Sequence, residues 1–341
     1  MKVAVINSGS SSIKFKIFDM DNESIIVDIL VEEITNHHKA LEAIISELEY
    51  QDIDFNSLDM IGHRIVHGGE EFSKSVVINS LVTDKIKELI PLAPLHNRAN
   101  LDGIFVCQKI VPHIKQVAVF DTAFHATMKI ESFLYALPYE MYDTYKIRRY
   151  GFHGTSHSYL LKESALKLGK DSSKLNLITL HLGNGASICA IKNGKSIDTS
   201  MGFTPLEGLV MGSRSGDIDP AIIIHMQRTL GYSLDEVEEI LNKESGLKGI
   251  CTYSDVRDIL DSKDEKAKLA LNIMIRRIQK YIGSYMILLG RVDAIVFSGG
   301  IGENSVYVRE QVMYDNLASN IPTLVIKTNE ELEIARQCLE F

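Results

Sequence analysis

The sequence predicts an α/β protein built from two domains of one topology that face each other across a cleft. Three observations carry that expectation. The chain opens as strand, polar hairpin, strand: Val3-Ala4-Val5-Ile6 is an apolar β-rich run, Asn7 to Ser12 is a turn of small polar residues, and Ile13 to Phe18 alternates in character. The same order returns at Leu175–Leu182, Gly183-Asn184-Gly185-Ala186-Ser187 and Ile188–Lys192. Each series then runs through helices to a buried-type strand with a polar C-terminal end, at Asp121 and at Ser298. A repeat of this length is not a solenoid. It implies two polar hairpins addressing one ligand, a polyanion such as a nucleoside triphosphate. Backbone N–H groups and hydroxyls in a tight turn can cradle an anion, with Lys14 adding charge. Taken alone, the first hairpin reads equally well as a serine-rich β-turn.

The elements follow in order. Ser24 to Val31 is a third strand, and Ala40, Leu41, Ile44, Ile45 and Leu48 have helical spacing over roughly 36–49. Asp59 to Val66 is a strand ending in His67-Gly68-Gly69-Glu70. Thr83 can cap a short helix that ends near Pro91 and Pro94, and a further helix runs from about Asn97 to Val111. Gln116 to Phe120 is a buried-type strand delivering Asp121. A connecting region over 122–174 holds Arg148 to His157 and a helix up to about Gly169. In the second half, Asn193-Gly194 is a strong hairpin signal leading into a strand over Ser196–Thr199. Helices are expected after Pro220, after Ser233 with Glu236 completing a capping box, and over about 264–289. Ala294 to Phe297 is a short buried strand, and Thr328 with Glu331 suggests a capping box before a C-terminal helix. The expected domains are 1–122 with 331–341, and 123–330.

Composition narrows the function. A chain of 341 residues has room for about two domains, and 45% hydrophobic with 24% charged residues is ordinary for a soluble globular protein with a sizeable core. A formal net charge of -9 argues against nucleic acid as a main partner, so an anionic substrate needs local positive charge. Cys107, Cys189, Cys251 and Cys338 are scattered with no C-x-x-C pair, which reads as reduced thiols. The apolar run that stops at Asn7 is too short for a signal peptide, and no uncharged apolar stretch is long enough to cross a bilayer. A cytoplasmic protein is expected.

Several strings of residues carry a resemblance. They are Asn7 to Ser12 with Lys14, His63 to Gly69, Pro94-Leu95-His96-Asn97, Phe120 to His125, Gly151 to His157, His181 to Gly185, Met211 to Pro220, Gly299 to Asn304 and Thr328 to Glu331. In this order along essentially the whole chain they resemble the acetokinase family, within the acetate and sugar kinase/Hsp70/actin superfamily. The resemblance implies two duplicated RNase H-like (actin-like ATPase) domains facing an interdomain cleft. It implies reversible transfer of the γ-phosphoryl group of ATP to acetate, giving acetyl phosphate and ADP, with Mg²⁺ as cofactor and Mn²⁺ able to substitute. A homodimer, acetate and ATP are the implied partners, without nucleic acid or membrane. The chain looks shorter than is usual for the family, with segments missing around 31–36 and between about Leu317 and Pro322.

The chemistry dictates which residues to look for. A carboxylate nucleophile is already ionised at neutral pH, so no general base is required. Catalysis must come from alignment and from neutralising charge on the transferring group. The resemblance assigns Arg64 to substrate binding and Arg214 to transition-state stabilisation; surface salt bridges to Glu70 or Asp217 are the plain alternative. His153 would donate to a phosphoryl oxygen. Asp121 is treated by the family as catalytic, and is better placed to orient Arg64, Arg214 or a magnesium-bound water than to deprotonate acetate. His67, His96, His125 and His157 read equally as structural. Asn7 and Glu330 look like the magnesium contacts, directly or through water, while Glu330 could instead complement a helix dipole. For the nucleotide, His181, Leu182, Gly183, Asn184 and Gly185 should cradle phosphates. Gly300, Ile301, Gly302, Glu303 and Asn304 should border the adenosine. Asp255, Val256 and Arg257 lie where the family has a nucleotide contact; a helix start explains Asp255 and Arg257 nearly as well. By resemblance Val66, Leu95, Phe152 and Pro205 line a small acyl pocket, although as bare residues all four read as core. A propionate or butyrate kinase on the same scaffold and an inactive nucleotide-binding paralogue are the rival readings.

Overall fold

A computed structural model describes residues 1–9, 12–34 and 36–341, with the side chains of His37, His38 and Leu95 outside that description. Ser10 and Ser11 of the opening hairpin therefore lie outside the described residues. The chain divides into two compact units, one of residues 1–126, 154–159 and 329–341, the other of 127–153 and 160–328.

The first unit is organised on a six-stranded sheet. Its strands are β1 (Lys2–Ser8), β2 (Ser12–Asp19), β3 (Ser24–Glu32), β4 (Met60–Ile65), β5 (Val76–Val77) and β6 (Lys115–Phe120). The sheet order is β3-β2-β1-β4-β6-β5. β1, β2 and β3 form an antiparallel meander, whereas β1, β4 and β6 run parallel. One face is covered by the helices His37–Tyr50 and Pro94–Ile110, where Ile6, Phe15 and Ile61 pack with Leu41, Ile44 and Leu48. The C-terminal helix Glu330–Cys338 packs against β1 and β4. Gly62 makes that approach possible: a Cβ there would sit 2.7 Å from Ile334 and 2.8 Å from Cys338, closer than carbon tolerates.

The second unit carries β7 (Leu177–Leu182), β8 (Ala186–Lys192), β9 (Lys195–Thr199), β10 (Ala294–Ser298) and β11 (Thr323–Val325), in the order β11-β10-β7-β8-β9. β7, β8 and β9 are antiparallel, and β7, β10 and β11 parallel. This is the first sheet without β5, which bears out the duplication but corrects one match: β10, ending at Ser298, corresponds to β4, and the strand before Asp121, β6, corresponds to β11. Asn193 and Gly194 take φ of 50° and 74°, the paired left-handed conformations of a two-residue hairpin. The helix Glu265–Leu289 buries Ile278, Ile282 and Tyr285, and Ser233 with Glu236 forms the expected capping box.

Two local expectations need correction. The helix Ser80–Glu88 is capped by Asn79, which accepts from the Val82 N–H, and Thr83 is interior and buried. The C-terminal helix begins at Glu330 with Asn329 accepting from the Leu332 N–H, so Thr328 and Glu331 form no capping box. Thr328 instead donates its N–H to Glu303. The segment after β10 is a short helix, Gly299–Asn304. No helix among the described residues is long and apolar enough to cross a membrane. All four cysteines are buried thiols.

Candidate active site

In the first unit, the parallel strands β1, β4 and β6 end side by side and deliver Asn7, Arg64 and Asp121. Arg64 donates from Nη2 to Asp121 Oδ2 at 2.8 Å and from Nη1 to Asn7 Oδ1 at 3.2 Å. Thr155 holds the other Asp121 oxygen at 2.7 Å, and the Gly154 N–H donates to the Asp121 carbonyl at 2.8 Å. Asp121 is 1% exposed, and each of its carboxylate oxygens accepts a hydrogen bond from a neighbour. Of the two arginines considered as its partner, Arg64 is the one it meets. Burial opposes the Arg64 charge, but Asp121, with Glu330 and Glu331, holds the guanidinium above its ordinary pKa. Its Nε is buried with no hydrogen-bond partner among the described residues.

The loop after β4 is fixed by residues that sequence reasoning passed over. Asn100 accepts from the Val66 N–H and donates to the Ser8 carbonyl; Asn97 bridges the N–H and carbonyl of His67; Thr122 accepts from the Gly68 N–H. Two asparagines three apart on one helix face were the available signal. Val66 is buried, and the Leu95 side chain lies outside the described residues. Lys14 pairs with the buried Glu331 at 2.8 Å.

In the second unit, His153 is the N-cap of the helix Gly154–Leu168 and sits in the left-handed region, φ 56° and ψ 25°. A non-glycine residue there is strained, and such strain recurs at functional positions. Its Nδ1 shares a 2.9 Å hydrogen bond with Ser187 on β8, and its ring lies 4.3 Å from that of His181 at the end of β7. Phe152 beside it is buried. The Gly183-Asn184-Gly185 turn closes through Gly183 N–H to the Gly185 carbonyl at 3.0 Å, and the Gly212 N–H donates to the Asn184 carbonyl. A Cβ at Gly185 would lie 3.5 Å from Arg214 Nη2 and 3.7 Å from His153 Cε1, so turn, arginine and histidine converge.

Arg214 differs from Arg64 in one decisive respect. Its Nη1 donates to the Pro205 carbonyl at 3.0 Å and to Met211 Sδ at 3.6 Å, and it makes no ion pair among the described residues. Burial alone pulls its pKa below the ordinary value. Asp217, the alternative partner considered, instead meets Arg277, Tyr281 and the Gly208 N–H.

A cavity of about 720 Å³ opens beside the turn, lined by Gly183, Asn184, Asp255, Val256, Gly300 and Asn304, among others. Arg257 and Ile301 also border it, while Leu182 lies buried behind. Asp255 is at once cavity wall and helix cap: it accepts from the Arg257 N–H and pairs with the Arg257 side chain at 2.6 Å. Glu303 is turned inward, accepting from the N–H groups of Gly299 and Thr328, and buried Gly302 gives its carbonyl to Arg309.

Comparison with known proteins identifies the family. The model of the acetokinase family matches residues 29–318. A curated relative, the acetate kinase of Sulfurimonas denitrificans, is 53% identical over 380 aligned positions, covering 98% of each chain. Against 341 residues here, that leaves at least 39 of those positions without a counterpart, yet both sheets are complete. The crystal structure of Porphyromonas gingivalis acetate kinase is similar with a TM-score of 0.93, 39% identity and 99% coverage of both chains. That of a propionate kinase from Francisella tularensis has a TM-score of 0.90, 41% identity and 98% coverage of both. A match this long, on a duplicated actin-like sheet with these loops at its strand ends, places the chain in the acetokinase family.

Proposed function

We propose that the protein transfers the γ-phosphoryl group of ATP to acetate, reversibly and directly. The observation that carries this is Arg214: a desolvated guanidinium beside a glycine turn and His153, with no carboxylate to neutralise it. Such a charge suits the developing charge of a phosphoryl group in transfer. Acetate arrives ionised, so the chain supplies no general base, and Asp121 serves to hold Arg64. Arg64 would bind the acetate carboxylate, and Val66, Leu95, Phe152 and Pro205 would enclose its methyl group. Arg214 and His153 would stabilise the phosphoryl oxygens, and His181 to Gly185 would cradle the phosphates. The cavity with Asp255 to Arg257 and Gly300 to Asn304 would take the nucleoside, while Lys14, already paired with Glu331, would contribute charge to the phosphates.

Magnesium is assigned to Asn7 and Glu330. Both offer oxygen, the donor Mg²⁺ prefers, and two protein oxygens suffice for an ion that keeps waters and phosphate ligands. Among the described residues no group of three acidic, histidine or cysteine side chains forms a metal cage. When bound, the ion would neutralise phosphate charge; Mn²⁺, with the same oxygen preference, would substitute. A cytoplasmic homodimer is the form we expect to be active.

Trapping the acyl phosphate with hydroxylamine, with ATP, Mg²⁺ and acetate, propionate or butyrate supplied in turn, tests the assignment. Acetate should give hydroxamate fastest; none from any acid would end the proposal. The likeness to a propionate kinase makes propionate the second reading, since one methylene is discriminated by only about 1–3 kcal/mol. Arg214→Ala should abolish turnover with nucleotide binding retained.

A further inference from the structure

We infer that Arg149, Glu207 and Tyr135 form a clamp that positions Pro205, and through it sets both the aim of Arg214 and the size of the acyl pocket. The inference rests on the phosphotransfer proposal for the same site.

The segment from the end of β9 to Gly208 has no regular secondary structure, so its shape must come from side chains. Arg149 Nη1 donates to the carbonyls of Thr199, Ser200 and Met201 at 2.8, 3.1 and 3.0 Å. Its Nη2 meets Glu207 Oε1 at 2.5 Å. The Tyr135 hydroxyl donates to the other Glu207 oxygen and accepts from the Phe203 N–H at 2.9 Å. The loop is thus gripped at 199–201, at 203 and at 207. Gly202 lies inside the grip, where a Cβ would collide with the Glu207 carboxylate and the Tyr135 hydroxyl.

Between the gripped positions stands Pro205. Its carbonyl is the one oxygen that Arg214 touches among the described residues, at 3.0 Å. Its ring is the residue assigned to the acyl pocket. Three carbonyls and one carboxylate oxygen around a single guanidinium exploit the planar fork of arginine; the compact ammonium of lysine cannot span them. A part-buried ion pair, with Arg149 15% and Glu207 30% exposed, is a poor way to gain stability alone. A rigid geometry at Pro205 is what the charged clamp provides and an apolar one would not.

The experiment compares wild type with Arg149→Lys, Glu207→Gln and Tyr135→Phe, in the hydroxamate assay with acetate and with propionate. Arg149→Lys and Glu207→Gln should lower kcat for acetate about tenfold or more while KM for ATP stays within about twofold. The ratio of kcat/KM for acetate over propionate should fall at least about threefold as Pro205 relaxes from the pocket. Tyr135→Phe removes one hydroxyl and guards against misfolding; it should shift the ratio in the same direction by less. A purely structural role would reduce the active fraction, lowering kcat equally for both acids with unchanged ratio and KM. That parallel loss, or unaltered kinetics, would overturn the clamp. A wild type that makes no hydroxamate from either acid would instead overturn the phosphotransfer proposal, and the clamp's assigned role with it.

Discussion

Replacing Asp121 with asparagine leaves the shape of the strand-end cluster and removes its compensating charge. Arg64 is then a part-buried guanidinium, 18% exposed at its side chain, facing a neutral amide at the position where a carboxylate stood 2.8 Å away. A pair near 4 Å is worth about 4 kcal/mol at an effective dielectric of 20, and breaking a buried pair by removing one partner costs about 3–5 kcal/mol. Glu330 and Glu331 still favour the Arg64 charge, which places the loss at the lower end, about 3 kcal/mol. The amide adds a conflict: to keep its oxygen toward Arg64 it must turn its NH₂ to Thr155, whose hydroxyl now donates to Asp121. Equilibrium unfolding in urea, followed by far-UV circular dichroism because the chain has no tryptophan, measures the loss. The companion variant Arg64→Met/Asp121→Leu removes both charges, and should recover most of the stability while giving no hydroxamate. Asp121→Asn within about 0.5 kcal/mol of wild type would refute the electrostatic account. A double variant less stable than the single one would refute the pairing.

Other expectations follow from burial and ligation. His63, 2% exposed on β4, is pushed by burial to a pKa of about 4 against its hydrogen bond to Gln116, whereas the unfolded chain titrates near 6.5. Between those values the unfolded state binds the extra proton, so stability is full above pH 6.5 and falls by up to about 3 kcal/mol toward pH 4. In His63→Gln that slope should vanish, and an unchanged slope would assign it elsewhere. Burial raises the Cys107 and Cys338 thiols to about 12 and holds Cys189 well above its usual value, so a thiolate-specific reagent at pH 8 should label none of these three in the native protein. Stoichiometric native labelling of any of them would contradict the packing. Glu330→Gln should raise the half-saturating Mg²⁺ by about tenfold or more, and an unaltered magnesium dependence would remove Glu330 from the ligand set.

The fold was legible because its signals are local. Alternation and short apolar runs marked the long strands, and Asn193-Gly194 and Ser233–Glu236 reported their own geometry within four residues. Where two residues could do one job, the choice was hidden. Thr328 and Asn329 are both residue types that cap helices; Asn329 takes the role, and the Thr328 N–H goes to Glu303, 25 positions away in sequence. β5 and β11, of two and three residues, are too short to show a period. Candidate site residues were readable as chemistry, but their partners were not. Arg64 and Asp121 are 57 positions apart, and nothing within either motif says which arginine the aspartate holds. Arg149 and Glu207 were missed for the same reason: a charge in sequence looks alike whether it is solvated or closes a part-buried clamp.

The two arginines show what that partnering decides. Both lie in glycine-bearing motifs and read alike in sequence. Arg64 has its charge compensated by Asp121 and one N–H of each Nη committed, while its Nε is buried without a hydrogen-bond partner among the described residues. In the acceptor-binding role proposed for Arg64, a charge already compensated would orient an anion and still release it. Among the described residues Arg214 meets only a carbonyl and a thioether, so its charge has no ionic partner there and its burial makes that charge costly until an anion arrives. A cation in that condition gains most from the state with the greatest negative charge near it, which in phosphoryl transfer is the transition state rather than either bound substrate. Lysine at 214 would keep the charge and lose the fork that Pro205 aligns, so Arg214→Lys should lower kcat strongly and leave KM for ATP nearly unchanged. Full kcat in that variant would mean that charge alone suffices, and that the aim set by Pro205 is dispensable.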